Sequence, residues 1–491
     1  MRGRLSNANL PTLAGKAAVP AYDRGTVTPG IVHLGVGAFH RCHQAVYVDD
    51  CLAADDTSWG IVGASLRSPD TRDALGPQDG LYTLAVRSSD GEALRVIGSI
   101  QSLLVAPENP TELLDALTDP RVRIVTLTVT EKAYLRAPGG GLDASHPDVL
   151  HDLANPDRPK TAHGFLVEAL ERRRSAGVQP FTVLCCDNLP ANGQTARRVV
   201  FEFARLRDAD LARFIEDAVA FPSSMVDRIV PATTDSDRAR VTEKLGVEDA
   251  WPVMTEPFTQ WVVEDDFPAG RPDWERFGVE MVLDVTPFED MKLRLLNGSH
   301  SAIAYLGLLS GHATVDRAFS DPVIRRFVNG LWAEAIPTLP EDAGLDPQNY
   351  IRRLAERYAN TALAHQTKQI AMDGSQKLPQ RIVASAVSRL AAGGKVDHLS
   401  LVIAAWILAC AARGNSLPAR HFTDPLDDSL TKLFAGHVPD RGIVAPVFDL
   451  AGFASGSPQR ADLIALVEDH LDALLQDGVA ATLAELGSGE A

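Results

Sequence analysis

Lys292, Asn297 and His300 stand together in Met291-Lys-Leu-Arg-Leu-Leu-Asn-Gly-Ser-His300. If this segment is an α-helix turning about 100° per residue, Asn297 lies roughly 140° and His300 roughly 80° around from Lys292. The three side chains then share one half of the helix surface and can converge on a small molecule. A basic amine, an amide donor and an imidazole on one rigid element suit proton abstraction from an alcohol and support of the resulting oxyanion. A free lysine titrates near about 10.4 and is a poor base at neutral pH, so the chemistry asks for a buried amine whose charge is disfavoured. Leu293, Leu295 and Leu296 would carry the helix into a core. An isolated K-x4-N-x2-H pattern reads more readily as an amphipathic helix with a solvated polar stripe.

A second signal, near the N-terminus, favours chemistry. In Gly30-Ile-Val-His-Leu-Gly35-Val-Gly37-Ala-Phe-His40, a short apolar strand runs into Gly35-x-Gly37, and an amphipathic stretch from Gln44 to Leu52 follows. Strand, tight glycine turn and helix form the dinucleotide-binding arrangement. Gly35 permits the turn, Gly37 lets backbone approach a pyrophosphate, and the helix start offers N–H groups to it. His40 stands where the usual fingerprint has a third glycine. The plainer alternative is an ordinary strand-to-helix turn.

These residues need elements to hold them. A chain of 491 residues is too long for one core and predicts two or three domains. The first half alternates strand-like and helix-like segments, which predicts a largely parallel sheet. Its strands are Ile31–Leu34, Gly60–Leu66, Val122–Val129 and Phe181–Cys186, with helices such as Thr111–Leu117 and Thr161–Ala176 between them. The stretch from Leu81 to Val105 reads as an antiparallel hairpin inserted in the sheet. From Pro287 helical periodicity dominates, at Met291–Leu309, Asp321–Glu334, Pro347–Tyr358, Leu378–Ala392, Leu399–Ala412 and Arg460–Leu475. The fold class is therefore α/β plus all-α. A Rossmann-like NAD-binding domain with an inserted hairpin spans residues 1–286, and an all-helical substrate and catalytic domain spans 287–491, with the site expected between them. The closing Gly-Ser-Gly-Glu-Ala is expected to fray.

A formal charge of −17 with no basic stripe excludes nucleic acid or an anionic membrane as the main partner. Five cysteines (Cys42, Cys51, Cys185, Cys186 and Cys410) show no zinc spacing and read as reduced thiols, Cys185 and Cys186 packed in a strand. His40, Cys42 and His43 fit no zinc pattern, so no metal is expected, and His40 and Arg41 are left to contact a cofactor or pack at the domain interface. The N-terminal residues lack the apolar run of a signal peptide, and the run Leu399–Ala412 is too short to span a bilayer. The expectation is a cytoplasmic protein, monomeric or weakly oligomeric, acting on a small molecule.

With these residues in hand, the chain resembles the polyol-specific long-chain dehydrogenase/reductase family, which includes mannitol 2-dehydrogenase and fructuronate reductase (D-mannonate oxidoreductase). The resemblance covers nearly the whole chain. It rests on Gly35-Val-Gly-Ala-Phe-His-Arg-Cys-His43, Cys186-Asp-Asn-Leu-Pro190, Met225-Val-Asp-Arg228, Glu256-Pro-Phe258, the Lys292…His300 signature and Asp373-Gly-Ser-Gln-Lys377-Leu-Pro-Gln-Arg381. It implies Lys292 as the general base, Asn188 and Asn297 as an oxyanion hole, His300 on substrate hydroxyls and Glu289 in proton exchange with solvent. It implies Gly35, Gly37, Phe39, Asp70 and Val226 around the cofactor, with Val226 and Asp227 lining the nicotinamide and substrate region. It implies no metal, the lysine supplying the charge that zinc supplies in other alcohol dehydrogenases. Read without the family, Asn188 follows a strand and falls where α/β ligands bind, although Asn192-Gly193 offers a competing turn.

Two choices depart from the family pattern. Asp70, after the second strand, can accept hydrogen bonds from an adenosine ribose and repel a 2′-phosphate. The acidic residue that often precedes it is Pro69 here, and Arg67 can pair with a 2′-phosphate. NAD is favoured, with NADP left open; capping of a following helix is the rival role for Asp70. Members acting on mannitol carry arginine at the position of Gln369, and the run around Lys377 is closer to the fructuronate reductase branch. Lys368, Lys377 and Arg381 can supply a cation for a substrate carboxylate, or be surface charges. A D-mannonate/D-fructuronate type of substrate is favoured over D-mannitol/D-fructose. A methyltransferase would share the glycine turn but not need the triplet, and a silent NAD-binding regulator would show damage to a triplet that is intact.

Overall fold

The computed structural model describes residues 3–341, 344–411, 422–435 and 439–486. The closing Gly-Ser-Gly-Glu-Ala, like Ala412, lies outside them. The chain divides into two compact units, Met1–Thr286 and Pro287–Ala491.

Eleven strands are present among the described residues, all in the first unit: β1 Pro29–Leu34, β2 Gly60–Ser65, β3 Tyr82–Ser88, β4 Gly91–Ile97, β5 Ile100–Val105, β6 Ile124–Leu127, β7 Thr182–Cys185, β8 Ser224–Asp227, β9 Val253–Thr255, β10 Gln260–Glu264 and β11 Glu280–Val282. The main sheet is wholly parallel in the order β5-β2-β1-β6-β7. Ile31 in β1 is in register with Ile61 on one side and Ile124 on the other. Runs such as Ile124-Val-Thr-Leu127, buried at every position, are what a sheet covered on both faces requires. The helices Gln44–Ala53, Pro110–Thr118 and Ala162–Ala176 supply crossovers between the parallel strands. Strand order reverses at β1: the chain moves outward through β2 and β5, then returns to the far side of β1 for β6 and β7. Ligands of such sheets gather at the carboxyl ends of the strands beside this reversal.

The hairpin is formed by β3 and β4, paired from Tyr82↔Ile97 to Ser88↔Gly91, and β9 joins β3 in parallel. It ends earlier than the sequence suggested. Residues Ile100–Val105 are β5, a core strand paired with β2. Period-two alternation is the same in hairpin and core strand, so the pattern carried no mark of the change at Gly98. The sheet β11-β10-β8 was not anticipated, because strands of three to five residues are too short to show a period.

In the second unit, helices include Gly298–Leu309, Pro322–Ala335, Pro347–Tyr358, Ala384–Ala391, Asp397–Ala411 and Arg460–Gln476. The helix Asp397–Ala411 is buried almost all round, consistent with its apolar sequence. No helix among the described residues is long and apolar enough to cross a membrane. Two π-helical turns interrupt the regular helices, Lys292–Asn297 between Thr286–Met291 and Gly298–Leu309, and Pro379–Val383 before Ala384–Ala391. The two turns pack together: a Cβ on Gly298 would stand 3.0 Å from the Arg381 carbonyl oxygen.

Candidate functional site

In the first unit the glycine turn sits at the end of β1. Gly35 has φ of +99°, and a Cβ there would stand 2.2 Å from the Thr128 carbonyl oxygen, so no other residue fits. Gly37 precedes the short helix Ala38–Cys42, and a Cβ on it would meet only the Gly35 carbonyl oxygen, at 3.8 Å. That side of the turn is open, as close approach of a diphosphate needs.

His40 takes the place of the third glycine by lying flat on His33, ring centroids 3.4 Å apart and planes 10° from parallel. His33 is fixed in turn. One tautomer lets the Thr126 hydroxyl donate to Nδ1 at 2.7 Å, Nε2–H donate to Thr128 Oγ1 at 2.9 Å, and Thr128 donate to the Gly35 carbonyl at 2.8 Å. Burial drives the His33 imidazole down to about 3 and His40 well below the ordinary histidine value, so both are neutral rings that act as packing surface. Phe39 stacks on His43 at 5.0 Å. Arg41 is buried within the unit, donating to the Trp251 carbonyl between the rings of Tyr82 and Trp251. Among the described residues no group of three or more His, Cys, Asp or Glu is placed to hold a metal ion, and all five cysteines are buried free thiols.

Asp70 is the first residue of the helix Asp70–Leu75 and accepts a hydrogen bond from Ser68 Oγ at 2.8 Å. Asp70 and Arg67 are both exposed beyond β2. A cavity of about 520 Å³ opens beyond the carboxyl ends of β2 and β5, lined by Leu66, Arg67, Ala106, Pro107, Lys132 and Leu135 among others. An open glycine turn at the reversal strand and an acidic residue past β2 fit a dinucleotide, while the cavity is lined by neither of them.

Asn188 is exposed in the segment after β7. The Asp187 carboxylate beside it accepts from the Val129 and Thr130 amides at 3.0 and 2.8 Å and from the Tyr134 hydroxyl at 2.7 Å, tying the loop after β6 to the loop after β7. Burial pushes the Asp187 carboxyl up, and these donors pull it partly back. The Asn192 amide donates to the Asp187 and Ser224 carbonyls and accepts from the Ser224 amide, joining β7 to β8. Asn192 is therefore a brace at the first position of the helix Asn192–Arg207. Sequence reading passed over Asp187, although it stands inside the Cys186-Asp-Asn-Leu-Pro190 motif, because a buried carboxylate that organises loops leaves no periodic signal. Val226 and Asp227 are buried in β8. The Glu256 carboxylate accepts from the Ile229 amide at 2.8 Å.

In the second unit, Lys292 opens the first π-turn and is only 9% exposed, where lysine normally reaches solvent. The turn alters the geometry expected from a regular helix. A π-turn bonds residue i to i+5, as the Gly298 amide does to the Leu293 carbonyl. Residues five apart therefore come nearly into line, which draws Asn297 towards the azimuth of Lys292. The widened turn is braced by side chains: Trp332 Nε1 and the Tyr358 hydroxyl each donate at 3.1 Å, to the Leu295 and Leu296 carbonyls, and Ser299 donates to both. His300 follows in Gly298–Leu309, buried, with its ring 4.9 Å from that of Tyr358. Burial, reinforced by His365, Arg357 and Arg381, holds its imidazole well below the histidine range. Glu289 is half-buried one turn before Lys292.

The residues expected to read a substrate anion differ in exposure. Gln369 and Lys368 are exposed. The Lys377 ammonium donates to the Met372 carbonyl at 2.7 Å and stands 3.6 Å from Asp373, so internal partners hold it. Arg381, in the second π-turn, is half-buried and donates to Ser301 Oγ at 3.3 Å.

Comparison with known proteins agrees with both units. The mannitol dehydrogenase Rossmann domain matches residues 29–276, and the mannitol dehydrogenase C-terminal domain matches residues 284–475. The D-mannonate oxidoreductase of Escherichia coli is 41% identical, over 98% of this chain and 99% of that protein. The Pseudomonas fluorescens mannitol 2-dehydrogenase, solved as a ternary complex with NAD and D-mannitol, is 38% identical with a TM-score of 0.84, covering 98% of this chain and 99% of that one. A D-sorbitol dehydrogenase in substrate-free form is 32% identical with a TM-score of 0.91, covering 98% and 100%. Two family models covering most of the length, with relatives of this identity from end to end, show that the chain belongs to the mannitol dehydrogenase family of oxidoreductases.

Proposed function

We propose that the protein interconverts a secondary alcohol of an open-chain sugar acid or sugar alcohol with the corresponding ketose, using NAD, and that the D-mannonate/D-fructuronate type is the favoured substrate. The observation that carries this reading is the buried Lys292 at the head of a π-turn that ends at Asn297, with buried His300 one turn on. A buried amine is the group that an uncharged-base role requires. In the oxidation direction Lys292 accepts the hydroxyl proton, Asn297 and Asn188 donate hydrogen bonds to the oxygen as it gains negative charge, and His300 orients neighbouring hydroxyls. In reduction Lys292 returns the proton, and Glu289 passes it from solvent. Bound NAD would supply the acceptor for the hydride that leaves the carbinol carbon. The residues proposed to hold it are Gly35, Gly37 and Phe39 at the turn, Asp70 at the adenosine ribose and Val226 towards the nicotinamide. Asp227 is proposed for the substrate region.

Three features support the acidic substrate: Gln369 in place of an arginine, Lys377 and Arg381 in the run that follows, and the likeness to a D-mannonate oxidoreductase. The likeness to a mannitol 2-dehydrogenase of comparable identity favours a polyol as the second reading. NADH oxidation with fructuronate, tagaturonate, fructose and xylulose, repeated with NADPH, tests both. Fructuronate is expected to be the best acceptor with NADH. A strong preference for fructose reverses the substrate assignment, and no oxidation with any of the four removes the reading.

A further inference from the structure

The loops that follow β6 and β7 hold backbone in conformations that side chains resist. Thr130 has φ of +74° with ψ of 155°, a combination almost confined to glycine, and Leu135 and Ala191 have φ of +47° and +45°. Such backbone persists only where surrounding contacts impose it. Here the contacts meet on one side chain. Asp187 Oδ1 accepts from the amide of Thr130 itself, and Oδ2 accepts from the Val129 amide and the Tyr134 hydroxyl. The buried Tyr134 hydroxyl also stands 2.8 Å from Sγ of Cys185, the last residue of β7.

The main chain of Asp187 is held as closely as its carboxylate. Its carbonyl accepts from the Leu189 amide at 2.8 Å and from the Asn192 side-chain amide at 3.0 Å. The bond from Leu189 closes a three-residue turn with Asn188 at its centre. Asn192 carries the brace on to Ser224 in β8. On the other side, Val129 follows Thr128, whose hydroxyl donates to the Gly35 carbonyl. One run of hydrogen bonds therefore joins the glycine turn after β1 to the turn centred on Asn188. A carboxylate buried among neutral donors carries a desolvation cost that an apolar side chain would avoid. What an apolar side chain could not supply is two fixed oxygens that set the angle between the loops.

We propose that Asp187, held by Tyr134, is a positioning residue that fixes the turn centred on Asn188, so that the Asn188 amide meets the reacting oxygen without first having to be ordered. This role rests on the assignment of Asn188 to the alkoxide and adds two residues to it, neither of which touches substrate or coenzyme. Asp187→Asn breaks the arrangement, because whichever way the new amide lies, its NH2 faces the Val129 or the Thr130 N–H. Tyr134→Phe is the milder change, removing one donor of three.

The test is a pair of double-mutant cycles on the full-length protein. NADH-dependent reduction of its best acceptor among fructuronate, tagaturonate, fructose and xylulose is measured for Asp187→Asn, Tyr134→Phe, Asn188→Ala and the two doubles with Asn188→Ala, each checked by its melting curve. Asp187→Asn should lower kcat at least about tenfold and Tyr134→Phe at least about threefold, with KM for NADH changed by less than about twofold. In the Asn188→Ala background the same substitutions should cost less than about twofold more, because the group they position is gone. Equal losses in both backgrounds mark a merely structural role and overturn the proposal, as does an unchanged kcat in both single variants. Where Asp187→Asn does not fold, the Tyr134→Phe cycle decides alone. Full activity in Asn188→Ala removes Asn188 from the reaction and the positioning role with it. Loss in Asn188→Ala beside full activity in Tyr134→Phe and Asp187→Asn removes the positioning role only. A wild type that reduces none of the four acceptors overturns both.

Discussion

Lys292 is the residue on which the proposed chemistry turns, and its substitution has a distinctive signature. Lys292→Ala should lower turnover by several orders of magnitude, with partial recovery on adding small primary amines, while the fold persists. Near-normal turnover would remove Lys292 from the role. Asn188→Ala and Asn297→Ala should each reduce kcat on the order of 10²–10³-fold if the amides support the alkoxide; a change confined to KM would mark them as binding groups. The triplet itself was visible in sequence because its residue types are chemically unusual at that spacing. Its geometry was not visible. A regular helix places Asn297 roughly 140° from Lys292, whereas the π-turn draws residues five apart together. Nothing in Lys-Leu-Arg-Leu-Leu-Asn signals the extra residue per turn. It is fixed by Trp332, Tyr358 and Ser299, which satisfy the loosened carbonyls from distant sequence positions and from the next turn.

At the level of elements, the clearest correspondence between sequence and structure lies in β1, β2, β6 and β7, where runs of buried apolar residues mark parallel strands. Gly35 shows why a fingerprint glycine is a steric statement. Gly35→Ala would force a Cβ into the Thr128 carbonyl at a φ that L-residues avoid, and should destabilise the first unit by more than about 2 kcal/mol. Denaturant unfolding of the variant measures this; a loss below about 0.5 kcal/mol would show that the turn relaxes cheaply. The third position of the fingerprint read as a defect in sequence and is a different solution in structure. An imidazole stacked flat on His33 achieves close packing between strand and helix without a glycine. Short strands and the internal Pro379 π-turn were illegible for a common reason: pairing partners and packing neighbours lie far away in the chain.

For the molecule as a whole, neutral histidines recur in both units: His33, His40 and His163 buried in the first, and buried His300 with half-buried His365 and His470 in the second. Burial is the leading cause of every one of these downward shifts, which reach about 3 for His33 and about 4 for His163. The unfolded chain takes up the protons that these folded sites refuse, so stability is complete above about pH 6.5 and falls as pH drops towards the folded values. His163 alone should contribute about 2 kcal/mol of loss between pH 7 and pH 5. Urea midpoints at the two pH values check this, and His163→Phe should flatten the dependence; equal midpoints for the wild type would show that the rings are hydrated. The wide turn at Lys292–Asn297 carries a last consequence. It holds one residue more than an ordinary coil of helix would, and removing that surplus would rotate Gly298–Leu309 by roughly 100° relative to Thr286–Met291. A protein shortened by one residue there would turn its amine and its imidazole to different sides and unseat the buried face that follows, so at this place chain length ties reactivity to folding.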